Sequence, residues 1–169
     1  KVDNIEIGGR NLALNSIGQP VYYNRSGYNI YPMADEHVFA KVEPNSIVSI
    51  SAYLKLLSDV EAGAYVRINI RAYSEDKTYL NIVKWGAPLT NAGDSEYLKM
   101  EGYVVPSNVH YLTVYVTKTP NSSNFVEFEV GWIKVEKGTK ATDWTPAPED
   151  VEAEIDSAKQ EALTAAGNA

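Results

Sequence analysis

The sequence predicts an all-β fold, an antiparallel β-sandwich of the jelly-roll type carrying a short C-terminal α-helix. Three observations point there. Apolar and polar residues alternate with a period of two in four stretches between residues 46 and 135, clusters of turn-forming residues separate the β-like runs, and only beyond residue 146 does the apolar spacing become that of a helix. With 169 residues, the chain has room for one domain with a substantial core and a short appendage.

Residues 1–11 contain the pair Gly8-Gly9 and read as a connector into the apolar run Leu12, Ala13 and Leu14. Residues 16–35, rich in Gly, Pro, Asn and Tyr, read as a long loop. The first alternating stretch then sets Val48, Ile50, Ala52, Leu54 and Leu56 on one face and Ser49, Ser51, Tyr53 and Lys55 on the other. The second divides Val66, Ile68, Ile70 and Ala72 from Tyr65, Arg67, Asn69, Arg71 and Tyr73. Leu112, Val114 and Val116 stand against Tyr111, Thr113, Tyr115 and Thr117 in the third; Val126, Phe128 and Val130 alternate with Glu127 and Glu129 in the fourth. Alternation of this kind belongs to antiparallel sheets with one dry and one wet face, not to the continuous apolar strands of a parallel sheet. The segments 74–77, 91–94 and 120–124 supply surface turns. Pro146 and Pro148 are expected to end the sheet, and Glu149 and Asp150 to favour a helix N-terminus. Beyond them Val151, Ile155, Ala158, Ala162 and Ala165 follow a heptad spacing, as either a linker helix or the start of a coiled coil that joins copies of the full-length protein. The expected division is therefore a connector over 1–11, a sandwich over 12–145, and a linker with its helix over 146–169.

Composition narrows the function. A net charge of −7 offers no basic footprint for a phosphate backbone, so nucleic acid is not an expected partner. Without cysteine there are no disulfides or thiol nucleophiles, and no apolar run is long enough to span a membrane. The chain is expected to be soluble, and its opening on Lys1 reads as a piece of something longer. Catalytic motifs are missing as well. The two histidines, His37 and His110, flank different predicted strands, and Glu127 and Glu129, two apart on one strand face, read as solubilising residues rather than a glycosidase pair. The loop 91–96 and Asp143 offer oxygen ligands that leave a structural calcium open, but turn and capping roles explain them, so no metal or cofactor is predicted.

What the composition does favour is a binding surface. Twelve Tyr and three Trp against three Phe make the aromatic content mostly amphipathic. Aromatic faces pack against the C–H patches of pyranose rings, while Arg, Asn and Tyr supply the directional hydrogen bonds that hydroxyls need. The candidate ligand-binding residues are Tyr53, Arg67, Asn69, Arg71, Tyr73 and Tyr115 on the non-core side of three strands, with Tyr28 from the long loop, and Trp85 as either an exposed platform or, on a slight preference, a buried plug. The competing explanation of the Tyr and Arg residues is that they are good strand formers stabilising cross-strand pairs.

Two segments carry a resemblance. The opening run from Ile7 to Ser16 and the closing run from Lys134 to Asp150 look like the boundary motifs of carbohydrate-binding-module-like domains in tail and baseplate proteins from phages of Gram-positive bacteria. Between them, residues 65–73 are similar to the central strand of galactose-binding-like jelly rolls. The resemblance implies a non-catalytic accessory domain of a virion tail, made in the host cytoplasm, that works outside the cell. Its partners would be bacterial cell-wall polysaccharide and other tail proteins. The alternative within the same resemblance is a structural spacer or protein-docking domain with no glycan site. No ligand residue carries over, because the closing motif belongs to the scaffold and the strand match concerns mainly the core.

Overall fold

The computed structural model describes residues 9–167. Most of the expected connector, with Ile7 and Gly8 of the opening motif, lies outside the described residues, as do the last two positions of the expected helix. Nine strands form two antiparallel sheets: β1 (Val21–Arg25), β2 (Asn29–Tyr31), β3 (Ala40–Lys41), β4 (Ile47–Leu56), β5 (Tyr65–Tyr73), β6 (Tyr79–Trp85), β7 (Ser95–Val104), β8 (Tyr111–Thr119) and β9 (Val126–Lys137). One sheet has the order β1-β9-β4-β7, and the other runs β2-β8-β5-β6 with β3 also paired to β8. The helix α1 (Pro148–Gly167) follows. The fold is the β-sandwich jelly roll with a C-terminal helix that the alternation predicts.

The core lies between the sheets. Val48, Ile50, Leu54, Leu56 and Phe128 from the four-stranded sheet meet Ile30, Val66, Ile68, Ile70 and Val116 from the five-stranded one, all at most 1% exposed. Burying such side chains is worth about 1.5–3 kcal/mol each, which fixes strand register, because a slip of one residue would turn every one of them to solvent.

The expected loop over 16–35 contains two of the strands. β1 pairs with β9 from Val21↔Val130 to Arg25↔Val126, and Asn29 and Tyr31 pair with β8. These strands are too short for a clear period, and Gly27 between them, at φ +101°, is a turn signal that masks both. β9 departs from a single alternation too. Its inward residues Val126, Phe128 and Val130 give way to Ile133 and Val135, of opposite parity, because a bulge at Trp132 and Ile133 sets two residues of β9 against Ala52 of β4. Trp132 takes φ +50°, and a Cβ on Gly131 would stand 2.6 Å from the Pro20 Cα and 2.7 Å from the Gly18 carbonyl oxygen.

A further departure concerns the closing motif. The sheet ends at Lys137, well before Pro146, and residues 139–147 return as a strap to the outer face of the four-stranded sheet. There Lys134 and Glu136, each about 1% exposed, are bridged by Thr142: Lys134 Nζ donates to Thr142 Oγ1 (3.0 Å) and to the Asp143 carbonyl (2.8 Å), and Thr142 Oγ1 donates to Glu136 Oε1 (2.7 Å). The opening motif locks to the same place. Asn11, fully buried, donates to the Ile133 and Thr145 carbonyls and to Ser16 Oγ, and accepts from the Ala13 and Val135 amides. Trp144 donates to the Ile133 carbonyl (3.0 Å) and packs against Gly18. Residues 9–11 of the expected connector are thus tied into the sandwich. Glu149 pairs with Arg10, and Asp150 accepts from the Asn15 amide (2.8 Å), so α1 is anchored at its first turn. None of its residues is buried.

Asn11 is expected to carry more stability than any exposed residue near it. Asn11→Ala should lower the unfolding free energy by about 3 kcal/mol, since it strands several buried donors and acceptors at once, and urea unfolding with an unchanged m-value would show it.

Candidate functional site

β5 runs through the middle of the five-stranded sheet between β8 and β6, so its outward residues sit at the centre of that sheet's exterior. Register places them in rows. Arg67 lies beside Thr117, which faces Asn29; Asn69 lies between Tyr115 and Trp85; Arg71 lies beside Thr113; Tyr73 lies between Tyr111 and Tyr79. Rows of neighbouring strands are about 4.8 Å apart, so each outward side chain reaches the next.

Two ends of this face differ. At one, the chain between β2 and β3 folds over the sheet through the short 3-10 turn Ala34–Glu36. Phe39 packs edge-on to Tyr73 (5.0 Å) and Tyr111 (6.0 Å) and stacks on His37, which is itself edge-on to Tyr115. Lys77 Nζ sits about equally over Phe39 and Tyr111. Under this roof Tyr73 and Tyr115 are each 6% exposed, the Tyr73 hydroxyl donates to that of Tyr115 (3.2 Å), and Tyr115 is hydrogen-bonded to His37 Nε2. Burial, seconded by the Arg71 cation, lowers the His37 pKa from its usual 6.5, keeping the imidazole neutral; burial, with the neighbouring Tyr73, raises that of Tyr115.

The other end is open. Trp85, 40% exposed, presents its indole beneath the Arg67 guanidinium, 4.1 Å from the ring centroid, and Tyr65 flanks the same cation at 5.7 Å. Arg67 Nε is buried yet has no hydrogen-bond partner. An unmet buried donor costs about 1–3 kcal/mol, a cost that stacking on the ring offsets only in part. Arg71 lies between the two ends. Its guanidinium stacks on Tyr115 at 3.6 Å, Nε donates to Asn69 Oδ1 (2.8 Å), and Nη2 donates to Asn29 Oδ1 (2.9 Å). The side chain is thereby held in place while its five donors exceed the two partners that Asn69 and Asn29 supply.

Of the residues expected from sequence, Arg67, Asn69, Arg71, Tyr73, Tyr115 and Trp85 come together on this face. Two do not. Tyr53 belongs to the outer face of the four-stranded sheet, against Tyr97 at 6.2 Å, because β4 and β5 follow each other in sequence but lie in different sheets. Tyr28 lies in the bend just before β2, exposed and, among the described residues, with no ring contact to the aromatic residues of this face. Trp85 is an exposed platform and not the plug preferred from sequence, because the chain after it stays paired with β5 through Gly86 and Leu89 and does not fold over the indole. Nor is the face uniformly wet: Asn69, Thr113 and Thr117 are covered by their longer neighbours. Sequence reasoning missed Asn29, His37, Phe39 and Lys77. Only the alternation of His37 with Phe39, just before β3, could have pointed to any of them.

The carboxylates discussed above have other engagements. Glu127 accepts from the Tyr22 hydroxyl (2.6 Å) on the four-stranded sheet, and Asp94 accepts from the Thr90 and Asn91 amides, which holds its pKa below the ordinary value. Among the described residues no group of three or more Asp, Glu, His or Cys stands together as a metal site.

The sequence matches no family model and no curated protein. Among solved structures, the chain is similar to that of infectious bursal disease virus, Gt strain, at 10% identity and a TM-score of 0.48 over 80% of this chain; it spans about a third (34%) of the viral chain. It is also similar to the C-terminal family 22 carbohydrate-binding module of Clostridium thermocellum Xyn10B, at 13% identity and a TM-score of 0.42 over 75% of this chain and 87% of that one. A xylan-binding domain from carbohydrate-binding module family 22 gives 12% and 0.42 over 82% and 99%. Likenesses of this degree concern the two-sheet architecture alone.

The roofed end makes a pH prediction. A neutral His37 whose folded pKa lies below 6.5 contributes its full share of stability above pH 6.5 and loses it as pH falls, because the unfolded chain takes up the proton first. A ring-proton NMR titration should place His37 below 6.5, and Arg71→Gln should raise its pKa; an unchanged value in the variant would separate the two side chains.

Proposed function

We propose that this chain is a non-catalytic saccharide-binding domain of a phage tail or baseplate protein, and that it holds the virion to polysaccharide on the bacterial surface. The observation that carries the sugar reading is the open end of the five-stranded sheet. There an exposed indole stands against Arg67, whose buried Nε is unmet, and Arg71 follows on the same strand with donors in excess of its two partners. A flat aromatic ring bordered by directional donors is what a pyranose requires of a protein, and neither element is needed to hold the sandwich together. Among the described residues, the five strands of this sheet carry no Asp or Glu, and we read the face as a site for holding and not for turnover.

Two further observations support the tail context. The opening and closing runs that resemble boundary motifs of phage tail modules meet at Asn11, which bonds the Thr145 carbonyl, and at Trp144, which bonds Ser16, as parts of one scaffold unit would. The exposed site is shallow, and weak single-site binding suits a particle that carries many copies and gains from avidity. The helix favours a second role alongside the first: Val151, Ile155 and Leu163 of α1 are all exposed, and in the full-length protein they would meet another copy or another tail component.

The test is binding of the fluorescently labelled domain to intact Gram-positive cells and to their extracted wall polysaccharide. Trp85→Ala should reduce binding about tenfold or more, whereas Tyr53→Ala, on the opposite sheet, should leave it unchanged. Equal binding by the Trp85 variant would move the site elsewhere, and absence of wild-type binding would favour a spacer.

A further inference from the structure

We infer that the saccharide recognised by the outer face of the five-stranded sheet is acidic, a polymer bearing carboxylate or phosphate groups at intervals along its length. The inference rests on the reading of that face as a saccharide site. Its basis is the distribution of charge. The chain as a whole has 22 acidic residues against 15 basic ones. Yet β2, β3, β5, β6 and β8 contain no Asp or Glu at all, while Lys41, Arg67, Arg71, Lys84 and Lys118 lie on them. The acidic residues are found in the other sheet, in the loops and in α1.

Four of the acidic side chains around this sheet are already committed, and Asp35 stands with Lys77 at the roofed end, away from Arg67. Lys118 points inward to Glu61, and Glu36 is taken by Arg25. Asp76 is bonded to Ser74 and Thr78 beyond the roofed end, and Glu96, past the far edge of β6, accepts from the Ala87 amide. Arg67 and Arg71 therefore carry their charges with no carboxylate partner among the described residues. Arg67 does so with its Nε buried, unbonded and flanked by rings. A neutral hydroxyl would meet the donor but not the charge, whereas a carboxylate or phosphate oxygen pair meets both.

The two cations do not converge on one group. Their Cα atoms are about 13 Å apart along the strand. Arg67 leans towards β6 and Trp85, whereas Arg71 leans towards β8 and β2. They are placed for two successive anionic groups on an extended chain, with the exposed part of Trp85 alongside the sugar at the first.

The experiment uses the intact protein against polysaccharides in matched pairs. Polygalacturonate, alginate and hyaluronate are each presented beside their carboxyl-reduced forms, and a polysaccharide bearing phosphate monoesters as side groups beside its phosphatase-treated form. The inference predicts that an acidic member binds about tenfold or more tightly than its neutral counterpart, that the difference shrinks as salt rises, and that Arg67→Gln and Arg71→Gln each diminish it. Arg71→Lys should keep part of the preference, and Lys55→Gln on the opposite sheet should have no effect. Which pairs respond distinguishes carboxylate from phosphate. Neutral polymers bound as tightly as acidic ones, with Trp85→Ala still harmful, would overturn the inference and leave the saccharide reading standing. Failure of every polymer to bind would overturn both.

Discussion

Closure of the apolar layer between the two sheets decides which side chains are free to act. Leu54 and Phe128 on one side and Ile68, Ile70 and Val116 on the other are withdrawn from water completely or nearly so, and none can leave without opening a cavity in a close-packed interior. Because strand side chains alternate, their burial forces Arg67, Asn69, Arg71 and Tyr73 outward in single file on a central strand. The candidate site is therefore a by-product of the core, in the sense that the same register builds both.

The two outer faces then meet different fates. On the four-stranded sheet the strap at 139–147 and the segment at 11–20 pack around Lys134 and Glu136, whose buried charges are met by Thr142 and the Asp143 carbonyl. Breaking such a buried pair from one side would cost about 3–5 kcal/mol, so this arrangement is scaffold. The five-stranded sheet has a roof over one end only, made by His37 and Phe39, and leaves Trp85 and the arginines at the other end open. One face is fastened and the other presented, and this asymmetry is why the saccharide reading is attached to the second.

Much of this was legible in the sequence. The long strands β4, β5 and β8 declare themselves by period, because each buries a full row of branched apolar residues. The composition of the site was legible as well, through the outward partners of the β5 row. What could not be read was the assignment of strands to sheets. Tyr53 and Arg67 have the same parity relative to their apolar neighbours, and only the crossing of the chain from one sheet to the other separates them. Short elements were lost for a related reason. β1 and β2 owe their existence to pairing with β9 and β8, which local pattern does not record. The bulge at Trp132 and Ile133, which reverses the parity of β9, likewise goes with the close approach of Gly18 and Pro20 to Gly131 from far away in sequence.

The central claim is that the open end of the five-stranded sheet, and no other surface, receives the saccharide. The three tryptophans offer a direct test, because Trp85 stands at that end while Trp132 and Trp144 pack together beneath the fastened face, 6.0 Å apart. Indole N–H resonances followed by NMR during titration with wall polysaccharide fragments should show the Trp85 signal moving, together with the Nε–H signals of Arg67 and Arg71, while those of Trp132 and Trp144 hold still. A stationary Trp85 signal with movement at Trp132, Trp144 or the Tyr53–Tyr97 surface would contradict the account.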